Sequence, residues 1–521
     1  MNTLDYTIVI LYAIGFLGLG YFFKQQNNKE DYFLGGRSFG WFPLSLSVMA
    51  TQLSAISFMS APAFVGIREG GGLQWLSYEF AVPLAMIFLA TVLIPALYRS
   101  GVVSIYEYLE KRFGISTRLL LSLVFQISRA FATAVMIYAV ALIIMSVIGI
   151  PFWQTILVIG LVTLIYSYQG GMKAVVYGDM IQMIILFGGI LICLYYGLDL
   201  LGGWSQFTEL VETDRLTAVD FGSLGFAEGE SFGFWPMLFG GFFLYASYYG
   251  TDQSQVQRLL AADSLATVKK TLFYNGLLRF PITLSYCIMG LIVGVFAMNT
   301  PEFIAQIPAD KPDLMIPVFI RDYLPHGIIG ILIVAILSAA MSSLSSAINS
   351  LSAVTTEDFV LRGKSVPPDR YVRYSRMTSL FWGLVCIGLS FYAGDIAPTV
   401  IEAINKIGSV FFGPILATFL VAIRFKRVGA FSMNTGLLTG VGVNIFMWLV
   451  VGNSIFWFWW NAIGFFVSLL VALLISAFRS APSRDEASGD TLEPLLTRMN
   501  LGLIIYFVAI VSFSIALRYM F

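Results

Sequence analysis

SLSVMATQLSAISFMSAPAFVG, from Ser45 to Gly66, is apolar enough to lie in a membrane yet crowded with Ser, Thr, Gln, Ala and Pro. A helix facing lipid would carry Leu and Ile instead. Small residues let helix backbones approach closely, and a break in mid-span frees carbonyl oxygens to bind an ion. A second irregular stretch, FLYASYYGTDQSQVQR (243–258), is interrupted at Gly250–Asp252. A third, SAAMSSLSSAINS (338–350), places Ser342, Ser345, Ser346 and Asn349 on one stripe at 100° per residue, with Ala339 a turn before Ser342. A stripe of hydroxyls offers oxygen ligands suited to a hard cation. The same pattern also serves plain helix packing, so at this level both roles stay open.

The rest of the chain fits a membrane setting. Its 521 residues are 58% hydrophobic and 12% charged, with a mean hydropathy of +0.83. Soluble chains run about 25% charged. Apolar runs of roughly 20 residues, the length that crosses a hydrocarbon core, recur from end to end. They are continuously apolar rather than alternating, which selects helices over barrel strands. Fourteen spans are expected, near 5–23, 41–66, 73–97, 117–147, 151–167, 175–199, 231–249, 267–297, 327–355, 375–393, 398–424, 430–451, 455–478 and 499–519. The class is an all-α polytopic membrane protein, with the whole of 1–521 as one membrane domain. It divides into a leading helix (5–23), a first repeat (41–199), a second repeat (231–424) and three trailing helices (430–519). The two repeats would be inverted five-helix units, each opening on its irregular helix.

Loop charges supply an independent count. With the N-terminus outside, and with residues up to three inside a span edge counted with the adjoining loop, 22 of the 30 Lys and Arg fall in inside loops, five outside and three within spans. That bias follows the positive-inside rule and puts both termini outside. The loops 200–230 and 298–326 read as outer caps over a vestibule. The balance of 30 basic and 30 acidic residues leaves no surplus for nucleic acid. Cys193, Cys287 and Cys386 lie in apolar runs, and the lone His326 lies in a loop, so neither a disulfide framework nor a metal cluster is expected. The first apolar run lacks a charged n-region and a cleavage site and is expected to stay as a helix.

Ionisable residues inside a bilayer are expensive and mark function. Glu79, Arg129, Asp179, Arg279 and Lys406 stand within spans, with Glu402 near a span's start. Asp179, in VVYGDMIQ, adds a negative charge that would complete a second cation site. Its alternative is a carboxylate satisfied by hydrogen bonds near a helix end.

Five segments, in order, carry a resemblance to a known family: DYFLGGRSFGWF (31–42), ATQLSAISF (50–58), IYSYQGGMKAVVYGDMIQ (165–182), TDQSQVQRLLAADS (251–264) and SAAMSSLSSAINS (338–350). The chain resembles the sodium:solute symporter family, which includes sodium/glucose, sodium/galactose and sodium/sialic acid transporters. The resemblance implies the inverted-repeat fold of the sodium-coupled amino-acid transporters and Na+ as the coupling ion. It matches a main sodium site to the carbonyls of Ala50, Leu53 and Ala339 and the hydroxyls of Ser342 and Ser343. A second sodium would use Asp179, Ser342, Ser345 and Ser346. For the solute it implies a wall of Gln52, Ser54, Ser57, Tyr78, Glu79, Tyr245, Tyr248 and Asn405. Arg129 matches an arginine that grips a carboxylate, Glu79 a carboxylate that accepts sugar hydroxyls, and Arg279 stands near a lysine of sugar carriers. The alternative is that Glu79 and Arg129 neutralise each other within the bundle.

The function expected is sodium-coupled import of a small organic solute, a sugar or sugar acid, by alternating access with two sodium ions per cycle. The alternative is a sodium- or proton-coupled symporter of a monocarboxylate, amino acid or other small solute. A receptor would append a signalling domain, a channel would need no closed cavity, and an enzyme would need a nucleophile–base pair, none of which is read here. Solute, sodium and lipid are the expected partners, without an obligate protein partner, in a plasma membrane and most simply a bacterial inner membrane.

Overall fold

The computed structural model describes residues 1–26, 28–53, 55–309, 311–362, 364–392, 400–479 and 492–520; of these, the side chains of 56, 142, 143, 146, 400–405 and 453 are left undescribed. Among the described residues the chain is a bundle of helices, and its one β-contact is an isolated bridge between Phe39 and Ala262.

Among the described residues, ten helices are long and apolar enough to cross a membrane, or eleven when a bent pair counts as one span. This differs from the fourteen expected at three places. The expected spans 151–167 and 175–199 run together as Phe152–Leu201, two helical stretches joined without a loop at a kink where Gly171 leaves helical geometry (φ 55°, ψ −149°). At 1.5 Å per residue the 50 residues are too many for one crossing of a bilayer, and the kink divides them into two stretches. Phe234–Thr251 is diluted by Trp235, Pro236 and three tyrosines, and Pro368–Ser390 opens on Asp369, Arg370, Arg373 and Arg376. Neither meets the test of length and hydropathy.

The bent pair is the irregular stretch of 45–66. Trp41–Gln52 and the following helix meet at 59°, with Leu53 in extended geometry at the break. The interruption at 250–252 appears as well. Phe234–Thr251 stops at Asp252, whose carboxylate accepts from the Ser254 amide (2.8 Å) and caps the short helix Gln253–Leu260.

Ile328–Val354 is the pillar of the bundle. Every residue from Leu332 to Val354 is buried, and a helix apolar on all sides belongs in the centre of a large bundle. It lies against Phe152–Leu201, with Ile115–Ile148 and Pro368–Ser390 beside them. The second half of the broken helix packs backbone to backbone on Leu265–Met298. A Cβ on Gly66 would sit 2.3 Å from the Gly290 carbonyl oxygen, and one on Gly294 would sit 2.5 Å from the Gly66 Cα. Glycines four apart at 290 and 294 are the small-residue spacing that permits such contact.

Candidate functional site

The break in the 41–66 stretch ends a helix inside the protein, beside the serine stripe of the pillar. The Ser342 hydroxyl donates to the Ala50 carbonyl (2.7 Å), and the Ser343 hydroxyl reaches the Thr51 carbonyl at 3.4 Å. Leu53 still donates its amide to Met49 (2.9 Å), after which the helix stops and the following carbonyls lose their helical partners. Ala339, Ser342 and Ser343 are all buried. Ala50, Ser342 and Ser343, three of the residues matched to the main sodium site, therefore stand at this break, and Leu53 is the extended residue that ends the helix there. Ala339 stands one turn before Ser342 on the same helix. The donor set, neutral hydroxyl and carbonyl oxygens, suits a monovalent hard cation.

Beside the break lies a cavity of about 190 Å³. Gln52, Ser57, Tyr78, Glu79, Arg129, Tyr248, Arg279 and Ser343 line it, so most of the expected solute wall converges on one space. Tyr245 does not line it. It is fully buried behind the wall, and its hydroxyl donates to Glu79 (3.3 Å). Ser54 and the side chain of Asn405 lie outside the described residues.

Glu79 and Arg129, weighed above as a mutually neutralising pair, have other partners. Arg279 holds Glu79 through both oxygens, Nη2 to Oε1 at 2.6 Å and Nε to Oε2 at 3.3 Å, and Thr283 adds a hydroxyl at 2.9 Å. Glu79 is fully buried and each of its oxygens already accepts two hydrogen bonds. Arg129 faces Asp252 across a looser 3.6 Å and lies 5.9 Å from the Tyr248 ring centroid. One nitrogen on each arginine, Arg129 Nε and Arg279 Nη1, is buried with no acceptor. Trp75 stacks on Tyr78 at 5.5 Å and, with Thr51, Asp252 and Tyr286, completes a wall that the sequence reading did not name.

Asp179 is also fully buried, and its environment differs from the one expected. The guanidinium of Arg258 donates to Asp179 Oδ2 at 2.8 Å, to the Ser47 hydroxyl at 2.8 Å and to the Ser346 hydroxyl. Ser47 donates to the same Oδ2 (2.6 Å). Arg258 thus stands among residues matched to a second sodium. Counted above with the inside loops, it is in fact 1% exposed. A trace of this was present in the sequence: Ser254 and Arg258 are four apart, one turn of a short helix whose polar residues are all buried. Ser345 and Ser346 donate back along their own helix to the Ser342 carbonyl, at 3.0 and 2.6 Å.

His326 lies at the surface, 57% exposed, with Nδ1 3.1 Å from Asp5 Oδ2. The three cysteines are buried and free, and no His, Cys, Asp and Glu among the described residues gather into a metal cluster.

A multi-pass helical membrane protein with a broken helix, a serine-lined oxygen site and an adjoining cavity has the build of an ion-coupled transporter. The profile of the sodium:solute symporter family matches residues 32–440, and the chain belongs to that family. The human sodium/iodide cotransporter is 29% identical over 461 residues, covering 87% of this chain and 70% of that protein. Sodium-coupled monocarboxylate transporter 1 of Xenopus laevis is 30% identical over 462 residues, covering 87% and 72%. Among solved structures, a substrate-bound, outward-open Na+-coupled sialic acid symporter shares the fold. It superposes with a TM-score of 0.83 over 92% of this chain and 99% of that one, at 24% identity. The protein is a transporter rather than an enzyme, and sodium is its coupling ion.

Proposed function

We propose that the protein couples the inward movement of sodium to the uptake of a small organic anion, a monocarboxylate or a sugar acid, by alternating access. The observation that carries this is Arg129 on the cavity wall, paired only loosely with Asp252 at 3.6 Å. Arg129 and Arg279 both face the cavity, and each keeps one buried guanidinium nitrogen without an acceptor. A buried donor left unpaired costs about 1–3 kcal/mol, which a carboxylate drawn against the guanidinium would return through charge-assisted bonds. A neutral sugar is the weaker reading, since the acceptor it would use, Glu79, is already held by Arg279, Thr283 and Tyr245. The names of the relatives, one for iodide and one for monocarboxylates, point to anions as well.

In this reading the solute contacts Gln52, Ser57, Tyr78, Arg129 and Tyr248, with Ser54 and Asn405 completing the wall. The main sodium ion uses Ala50, Leu53, Ala339, Ser342 and Ser343. A second ion, at Asp179 with Ser342, Ser345 and Ser346, gives two per cycle. Each sodium entering at −100 mV contributes about 2.3 kcal/mol from the potential and about 1.4 kcal/mol for a tenfold gradient. The fold proposed beneath this is fourteen crossings built on two inverted five-helix repeats, 41–199 and 231–424. Support for it comes from the two irregular helices, at 53–55 and 250–252, each opening one repeat, and from the kink at Gly171 that divides the 50-residue helix. Both termini would face outside, in the plasma membrane.

Uptake by purified protein in proteoliposomes, with sodium or choline outside and a negative potential inside, tests the proposal. Accumulation of labelled lactate or gluconate that needs sodium supports it. Accumulation in sodium-free buffer at low pH would favour proton coupling instead.

A further inference from the structure

Arg258 belongs neither to the cavity nor to the main sodium site, yet it is among the largest fully buried side chains described. Its helix, Gln253–Leu260, makes about two turns between the interrupted helix and Leu265–Met298. Gln253 ties that helix to the Val103 carbonyl (2.7 Å), and Gln257 ties it to Asn349 (2.6 Å) and to the Phe33 carbonyl (2.7 Å). From this platform the guanidinium reaches Asp179, Ser47 and Ser346 at once and also bonds the carbonyl of Ser254. The second carboxylate oxygen, Asp179 Oδ1, is buried without any partner.

We infer that Arg258 is a built-in cation that competes with sodium for Asp179, so that a sodium ion enters the second site only when this guanidinium leaves. The inference rests on the sodium-coupled reading above and adds a residue to it. A single buried carboxylate neutralises a single cation, and a second positive charge beside it in a water-poor interior is strongly repelled. Ser346 is claimed by both occupants, as a hydroxyl acceptor for Arg258 here and as an oxygen ligand in the expected sodium set. Asp179 Oδ1 is the contact point left for an arriving ion. The exchange also has a mechanical side. Asp252, which loosely faces Arg129 in the cavity wall, is the cap of the helix that carries Arg258. Release of Arg258 therefore frees one anchor of an element whose cap, Asp252, lines the solute cavity.

Equilibrium binding of 22Na+ to purified full-length protein reads this directly. In Arg258→Gln the second sodium is expected to bind at least tenfold more tightly than in the wild type, and the sodium Hill coefficient to rise. Arg258→Gln/Asp179→Asn is expected to lose that ion while keeping the one at the main site. Should Arg258→Gln fail to fold, the wild type answers alone: saturating sodium is expected to speed amide exchange across 253–260, and Asp179→Asn is expected to abolish the effect. Equal sodium affinity in wild type and a folded Arg258→Gln would overturn the inference, as would slower exchange of 253–260 with sodium. Absence of bound sodium in every protein would overturn the coupling reading itself, and this inference with it. One ion at the main site in all of them would overturn the inference alone.

Discussion

Arg279 grips Glu79 through two hydrogen bonds, Nη2 to Oε1 at 2.6 Å and Nε to Oε2 at 3.3 Å, across 200 residues of sequence. Both side chains are buried, and this pair forms the floor on which Thr283 and Tyr245 also converge. Removing one partner leaves an uncompensated buried charge, which costs about 3–5 kcal/mol. Glu79→Gln should therefore lower the thermal midpoint of the detergent-solubilised protein sharply. Glu79→Gln/Arg279→Met should recover much of the loss. A double variant no more stable than Glu79→Gln would show that the pair is not a closed unit.

Arg129 has the opposite character, with a 3.6 Å partner and an unsatisfied Nε. Arg129→Gln removes the charge and shortens the side chain while keeping a polar amide. The expected result is at least a tenfold rise in KM for carboxylate solutes in sodium-driven uptake, with folding and sodium binding retained. A KM unchanged across lactate, pyruvate and gluconate would remove Arg129 from the solute site.

At the main ion site, Ser343→Ala deletes a hydroxyl that stands 3.4 Å from the Thr51 carbonyl and faces the cavity. It should abolish concentrative uptake and the thermal stabilisation that sodium gives. Asp179→Asn should be milder, lowering the sodium Hill coefficient toward one. An unchanged coefficient would contradict a second sodium at Asp179.

Packing makes a separate forecast. A methyl on Gly66 would lie 2.3 Å from the Gly290 carbonyl oxygen, a backbone atom that cannot swing aside. Gly66→Ala should sharply reduce the yield of monodisperse protein. Gly442→Ala, where nothing lies within 4 Å, should not.

Outside the membrane, Glu493 accepts from Lys269 (2.7 Å) and from Arg99, and the Lys269 hydrogen bond leads the effects that hold its carboxyl below the usual Glu range. A lowered carboxyl pKa stabilises the folded contact above the unfolded value, about 4.3, and the benefit fades as pH falls through the folded one. Protection of the segment 492–497 in hydrogen exchange should be flat from pH 8 to 5 and decline only in stronger acid.

Much of the site was legible because membrane helices tolerate polar residues only for a reason. The crowd of small and polar residues at 45–66 and the Gly-Thr-Asp at 250–252 both mark real helix breaks. The Ser342–Ser346 stripe does face the first break. What the sequence could not convey is which distant partner each charge meets. Glu79 and Arg129 look like a pair by charge alone, yet Arg279 and Asp252 take them, because helix contacts bring those side chains nearer. Arg258 was read as a loop charge since a linear tally of loops cannot see a short helix folded into the interior. The span count parted from fourteen for two reasons: at Gly171 two helical stretches meet at a kink with no loop between them, and Phe234–Thr251 and Pro368–Ser390 carry too many polar residues to count as apolar spans.

The most direct test of the central claim is thermal stabilisation of the purified wild-type protein by a panel of neutral sugars, sugar acids, monocarboxylates and amino acids, each with and without sodium. The account predicts that sodium alone raises the midpoint and that a monocarboxylate or sugar acid raises it further only when sodium is present. Stabilisation by a neutral sugar and by no acid, or an acid effect indifferent to sodium, would contradict it.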